Sequence, residues 1–570
     1  MRDQRPRHNP PAAPPRRALL GAGLGLAGAG LLAACSPGSS PAGGHSGHGS
    51  APSPSPADPR AGANAGAGWV DPAGPEVRAA EAARKAGPAA RELRLTATPT
   101  TIDLGAGRTV RTWAYGDRLP GAEVRVTAGS TLSLTLANHL PAATSLHWHG
   151  LALRNDMDGV PGLTQRDVAP GASFAYSFAV PHPGTYWFHP HSGTQQDRGL
   201  YAPLIVEDPR EPLSYDREWV VVLDDWVDGV EGSTPESVLA ELRGGMGGDG
   251  TGGGAGDGGG GHTGHGGRAP LRAPGTAPAP APSPAPSRSG PSRMAMGTRS
   301  DVLGADAGDV AYPFHLVNGR VPEDPSVFEA RPGDRIRLRI VNAGGDTAYR
   351  LALGGHELTV THSDGFPVVP VKARSLLLGM GERYDVVVTA GDGVFPLTAV
   401  AEGKGRAGLA LLRTGSGGGG ARPTEATRPA ELSGAPWTAA GLRPAESVAL
   451  ARRAPDRTVR IRLTGGMARY DWAFDGQPYR PDRRHGVVAG ERVRVEFNNS
   501  TTMWHPLHLH GHTFALAGGA GGARKDTAPV LPGQTLTAEF DADNPGLWMV
   551  HCHNVYHAEA GMMTVLGYRA

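Results

Sequence analysis

Sulfur chemistry is scarce in this 570-residue chain: its two cysteines are Cys35 and Cys552. Their contexts are so unlike that no intramolecular disulfide is expected between them. Net charge is almost nil, with 55 Lys+Arg against 54 Asp+Glu leaving +1. No basic tract carries interleaved aromatics, so nucleic acid is excluded as a partner. The one long apolar run, Ala18 to Ala34, is diluted by glycine and falls short of the ~20 residues that a membrane-spanning helix needs. Convincing amphipathic helices are missing as well. Glycine (85) and proline (52) are abundant instead, and they predict turns, linkers and short strands. The length suffices for three or four domains with sizeable cores.

Arg16-Arg17 precede the apolar run, which ends in Leu32-Ala33-Ala34-Cys35. The pair resembles a twin-arginine export signal and the tetrapeptide a lipoprotein cleavage box. Residues 1–35 are therefore expected to direct export, with a lipid on Cys35 anchoring the chain at the outer face of the cell membrane. Cleavage nearby without lipidation would secrete it. Residues 36–90 read as a flexible tether, 244–299 as a Gly- and Pro-Ala-rich disordered insertion, and 415–428 as a shorter linker.

Between these stretches one pattern occurs three times. Gly129 leads to Leu132, Leu134, Leu136 and Asn138; Gly333 to Ile336, Leu338, Ile340 and Asn342; Gly490 to Val493, Val495, Phe497 and Asn499. A turn glycine, an alternating strand and a polar stop describe a half-buried β-strand. Three copies predict three related all-β domains, as sandwiches or Greek-key barrels, over 91–212, 213–415 and 430–570.

The repeat register also separates the domains chemically. Nine and eleven residues after Asn138 stand His147 and His149, and the same steps after Asn499 reach His508 and His510. After Asn342 they reach Leu351 and Leu353. Five and seven residues beyond Gly184 are His189 and His191; beyond Gly546 they are His551 and His553; beyond Gly393, Thr398 and Val400. The outer domains thus offer four histidines each, and the middle domain none of them. Cys552 stands between His551 and His553, where the first domain has Pro190. Strand alternation turns the two histidines one way and the cysteine the other. His505, an odd step before His508, is expected to face Cys552. A thiolate with imidazoles and a weak axial methionine suits mononuclear copper.

The segments His147-Trp148-His149-Gly150, His189-Pro190-His191, His505-Pro506-Leu507-His508-Leu509-His510 and His551-Cys552-His553 through His557 to Met562 resemble the four copper signatures of the multicopper oxidases. That family includes laccases, bilirubin oxidases and bacterial cuprous oxidases. The resemblance implies three cupredoxin-like domains and four copper ions. It implies type 1 copper on His505, Cys552, His557 and Met562, and type 2 copper on His147 and His508. The type 3 pair falls on His149, His189 and His553, and on His191, His510 and His551. Electrons taken singly from substrate would reduce O2 to water. Asp158, eleven residues after His147, matches a proton-relaying acid of related oxidases, although a turn role before Gly159 competes. Several bacterial relatives carry an acid directly after the residue matching His557; here Ala558 intervenes and Glu559 is the candidate.

His315, His356, His362 and His485 read as structural or surface residues, and His512 has no ligand role in the family. His45, His48, His262 and His265 lie in biased tracts. Arg524-Lys525-Asp526-Thr527 is expected to be a structural turn on the type 1 side. The leading expectation is an exported laccase-like oxidase of phenols. The alternative is a cuprous oxidase of copper tolerance, with Met157, Met294, Met296 and Met503 as candidate Cu(I) contacts. A non-catalytic electron-transfer cupredoxin would be expected to have lost ligands, and all twelve are present. Nitrite reduction requires no paired His-x-His set.

Overall fold

The protein is described here from a computed structural model covering residues 66–89, 91–245, 290–415, 422–516 and 521–570. The expected export signal and His45, His48, His262 and His265 lie outside these residues.

Among the described residues the strands form six sheets, two in each of three successive units. Strands between Leu93 and Glu207 make two four-stranded sheets; those between Arg217 and Thr414 make sheets of six and five; those between Arg457 and Tyr568 repeat six and five. The expected all-β cupredoxin-like architecture is what forms. The three repeated strands are Ser130–Asn138, Arg335–Asn342 and Arg492–Asn499, and each pairs in parallel with the opening strand of its unit. Parallel neighbours need a crossover, which carries the chain from one sheet to the other.

The polar stop of each repeat explains how that crossover begins. The Asn138 amide donates to the carbonyls of Ala142 and Val168, and its oxygen accepts from the Leu140 N–H. Asn342 donates to Thr347 and Leu378 and accepts from Gly344. Asn499 donates to Met503 and Val530 and accepts from Thr501. One buried side chain satisfies three backbone groups where the chain leaves the ladder, so the corner is not left with orphaned polar atoms.

Two stretches differ from the sequence reading. Part of the expected tether is structured: Pro75–Ala83 is a helix with proline in its first turn, Val70 and Val77 are buried, and the Val70 N–H donates to the Tyr568 carbonyl. Apolar residues among Ala, Gly and Pro were masked by the composition. The end of the expected insertion is structured too. The Arg293 guanidinium is buried against Ser233 and Glu231, and the Ala295 N–H donates to the Asp309 carbonyl.

Candidate metal centre

In the first unit the strand His147–His149 pairs with Gly184–His189 so that His147 faces His189 across the ladder. In the third, His505–Leu509 pairs with Leu547–Cys552 and sets His508 opposite His551. The two units therefore present the same imidazole register. Alternation sends Trp148, between His147 and His149, into an aromatic core of Tyr176, Phe178 and Phe188, which frees both histidines for the boundary. There the two sets meet. His147 stacks on His510 at 3.7 Å and His149 on His508 at 3.8 Å between ring centroids. His551 Nε2 lies 3.1 Å from His510 Nε2, and His553 Nε2 lies 3.2 Å from His149 Nδ1. The centroid of His191 is 4.9 Å from that of His551.

Oxygen acceptors decide which nitrogen of each ring faces inward. The Nδ1–H groups of His147, His189, His508 and His551 donate to the carbonyls of Asp158, Pro190, Asp526 and Cys552, and that of His510 donates to Asp158 Oδ2. Each leaves a bare Nε2 turned to the common space. His147, His189, His191 and His508 Nε2 and His553 Nδ1 are buried without a hydrogen-bond partner. A buried polar atom left unpaired costs about 1–3 kcal/mol, and bound cations would supply the partner that this cluster of bare nitrogens lacks. Burial, then mutual repulsion, holds the rings of His189, His191, His508, His510 and His553 well below the ordinary imidazole range, with His551 lowered to about 4 chiefly by burial. They are neutral and ready to ligate.

Asp158 is fully buried, its Oδ2 2.9 Å from His510 Nδ1 and its Oδ1 3.2 Å from His147 Nδ1. Gly159 makes this possible: at φ +82° it turns the chain so tightly that a Cβ would sit 1.9 Å from the Leu146 carbonyl oxygen. Glu559 lies elsewhere, at a cleft lined by His189, His191, His551 and His553. Burial raises its carboxyl above the usual range, against the pull of Arg243.

Cys552 points to the far side. Its Sγ lies 3.6 Å from Nδ1 of both His505 and His557, and those two nitrogens are 3.1 Å apart. Their Nε2–H groups donate outward, to Thr501 Oγ1 and Asp309 Oδ2, each at 2.9 Å. Two imidazole nitrogens and a sulfur thus converge where a soft metal fits. Met562 is fully buried, and its carbonyl accepts from the Cys552 N–H. Helix Val555–Ala560 carries His557, and Asn554 caps it by accepting from the N–H groups of Tyr556 and His557.

Three features differ from the sequence reading or were missed by it. The Arg524–Thr527 segment sits against the histidine cluster instead of the thiolate: Asp526 Oδ1 is 3.0 Å from His149 Nε2, and the Asp526 carbonyl accepts from His508. Pairing of Thr527 with His508 across the ladder puts it there. Asp309 follows the long insertion, outside any repeat register, and nothing in the sequence marks it. Arg383, whose guanidinium forks onto Asp526 at 2.7 Å per bond, sits in the unit that lacks ligands. The His512 ring is hydrogen-bonded to the His510 carbonyl and the Tyr568 hydroxyl, consistent with no ligand role.

A three-unit β fold with a thiolate pocket back to back with a histidine cluster defines a copper protein of the oxidase type. Family models described as "Multicopper oxidase" match residues 96–211, 296–416 and 452–569. The chain is 44% identical over 504 residues to "Multicopper oxidase MmcO" of Mycobacterium tuberculosis, covering 86% of this chain and 90% of that protein. It is 29% identical to "Copper resistance protein A homolog" of Pseudomonas syringae pv. tomato, covering 83% and 91%. The laccase structure from Botrytis aclada shares the fold with a TM-score of 0.65 at 23% identity, covering 84% and 88%. The chain belongs to the multicopper oxidases, copper-dependent oxidoreductases that use O2 as acceptor and bind one type 1, one type 2 and two type 3 copper ions.

Proposed function

We propose that His505, Cys552, His557 and Met562 hold the type 1 copper, and that His147 and His508 hold type 2 copper. His149, His189 and His553 would hold one type 3 ion, and His191, His510 and His551 the other. Copper at these residues supplies one-electron oxidation of substrate at the thiolate and four-electron reduction of O2 to water at the three-ion cluster. The observation that carries the reading is Cys552, 3.6 Å from two inward-facing imidazole nitrogens and covalently flanked by His551 and His553. Electrons accepted at sulfur have only a few bonds to cross. Asp158, in contact with one cluster ring from each outer domain, is proposed to hold and release protons there, and Glu559 to do so at the mouth of the cleft.

The substrate edge is proposed to be Asp309. Its Oδ2 accepts from His557 while its Oδ1 is buried without a partner. Asp306, raised to about 6 by burial and by the neighbouring carboxylates, lies close by. Carboxylates leading to a ligating imidazole favour a cation, which supports Cu(I) as substrate in copper tolerance. Phenol oxidation is the second reading, because the same Asp309 carboxylate can accept a phenolic proton. Anaerobic reduction by Cu(I) and by a phenol, compared in wild type and Asp309→Asn, tests this. The reading requires Asp309→Asn to slow both donors, with Cu(I) fastest in wild type. A variant indistinguishable from wild type for either donor rules Asp309 out.

Export through the Arg16-Arg17 signal and a lipid on Cys35 complete the proposal. No helix among the described residues is long and apolar enough to cross a membrane.

A further inference from the structure

Among the cluster histidines, His149 is oriented differently. Its Nε2 is the nitrogen held by oxygen, 3.0 Å from Asp526 Oδ1 and 3.0 Å from Thr527 Oγ1, so Nδ1 faces His553. Asp526 Oδ1 also accepts from the Thr527 hydroxyl at 2.9 Å and from Arg383 Nη1 at 2.7 Å, while Oδ2 accepts from Arg383 Nη2 at 2.7 Å. A carboxylate forked by a guanidinium offers only acceptors, and the nitrogen opposite it must carry the proton. Arg383 is itself fixed: its Nε donates to the Thr185 carbonyl at 3.2 Å and Nη1 to the Gly381 carbonyl at 3.1 Å. Asp364 of the same unit accepts from the Arg383, Asp526 and Thr527 N–H groups. Gly381 lies so near the cluster that a Cβ there would be 2.9 Å from His149 Cε1 and 3.0 Å from His553 Cδ2.

We infer that Arg383 is a positioning residue by which the ligand-free middle domain, acting through Asp526, selects the His149 ring nitrogen that faces the copper cluster. This gives the middle domain a role in a site to which it contributes no ligand. The inference rests on the ligand assignment proposed above for His149, but its primary readout does not need copper.

The test is nitrogen-15 NMR of copper-free protein with labelled histidine, the His149 signal being identified by its loss in His149→Gln. Wild type should carry the proton on Nε2. In Arg383→Met at least half of the His149 population should move to the Nδ1–H form, and Arg383→Lys, which keeps charge without the fork, should fall between. Copper retention against a chelator should weaken about 10- to 100-fold in Arg383→Met, the usual consequence of losing a residue behind a ligand, while the blue Cys552 absorption persists as a report of intact folding. An unchanged His149 spectrum in Arg383→Met overturns the inference whatever the copper content. Should that variant not fold, Asp526→Asn, which can present an N–H to His149, takes its place: a shift towards the Nδ1–H form supports the inference and an unchanged spectrum overturns it. If wild type binds no three-ion cluster, the ligand assignment fails separately from the tautomer result.

Discussion

At the scale of single residues, the proposed ligands were legible and the residues around them were not. Spacing reveals His147, His149, His508 and His510 because strand alternation is a rule of covalent geometry. Asp309, Asp526 and Arg383 reach the site through tertiary approach, which no local period records. Two substitutions separate roles at this scale. Cys552→Ser should abolish the strong visible copper–thiolate absorption and leave three of four coppers by elemental analysis, since only the type 1 site uses sulfur. Persistent blue colour would show the thiolate to be elsewhere. Asp158→Asn retains size and a hydrogen bond to His510 but cannot exchange a proton at ordinary pH. Anaerobic reduction by substrate should run at the wild-type rate in stopped flow. Reoxidation by O2 should slow about 10²-fold, within the range of general acid–base contributions, and most at high pH, where solvent protons are scarce. Unchanged reoxidation would leave Asp158 as a turn residue.

At the scale of elements, the repeated strand was the most readable object, because Asn138, Asn342 and Asn499 end it by the same three hydrogen bonds. The helix Pro75–Ala83 was hidden within a Pro- and Ala-rich stretch, and the order of Arg293 comes from partners about sixty residues earlier in sequence, Ser233 and Glu231. Helix Val555–Ala560 shows how one element ties stability to chemistry. Asn554 caps it, and the Asn554 Nδ2 donates to Asp346 Oδ1 at 2.6 Å, while Asp346 also accepts from the N–H groups of Asp309 and Val310. One asparagine thus couples the start of the His557 helix to the loop that places Asp309 on His557. Asn554→Ala should cost about 1–2 kcal/mol in chemical denaturation, the ordinary value for a lost cap, and should also alter the position or intensity of the blue band. A stability loss with an unchanged spectrum would limit Asn554 to capping.

For the whole molecule, the buried imidazoles set a pH dependence. His149, His189, His191, His505, His508, His510, His551 and His553 are all lowered, burial being the first cause for each, from an ordinary value of 6.5. Between the lowered folded values and 6.5 the unfolded chain binds protons that the folded chain refuses. Stability of the copper-free protein must therefore fall as pH drops below about 6.5. His557 acts oppositely. Burial lowers it, but Asp309 and the neighbouring Cys552 raise it to about 10, so its contribution is full below 6.5 and is lost as pH rises through 10. Among the imidazoles of the metal centre, one group against eight makes the acid loss dominant. Melting temperature of copper-free protein should decline steeply from pH 7 to pH 5, and copper, by occupying the bare nitrogens, should flatten the decline. A flat profile without copper would contradict the burial of these rings. The central claim, that a thiolate entry site feeds a separate cluster completing the reduction of O2, is tested most directly by stoichiometry. Oxidation of limiting Cu(I) by the fully loaded protein, followed with an oxygen electrode and a peroxide assay, should consume one O2 per four electrons and release no peroxide. One O2 per two electrons, with peroxide accumulating, would contradict it.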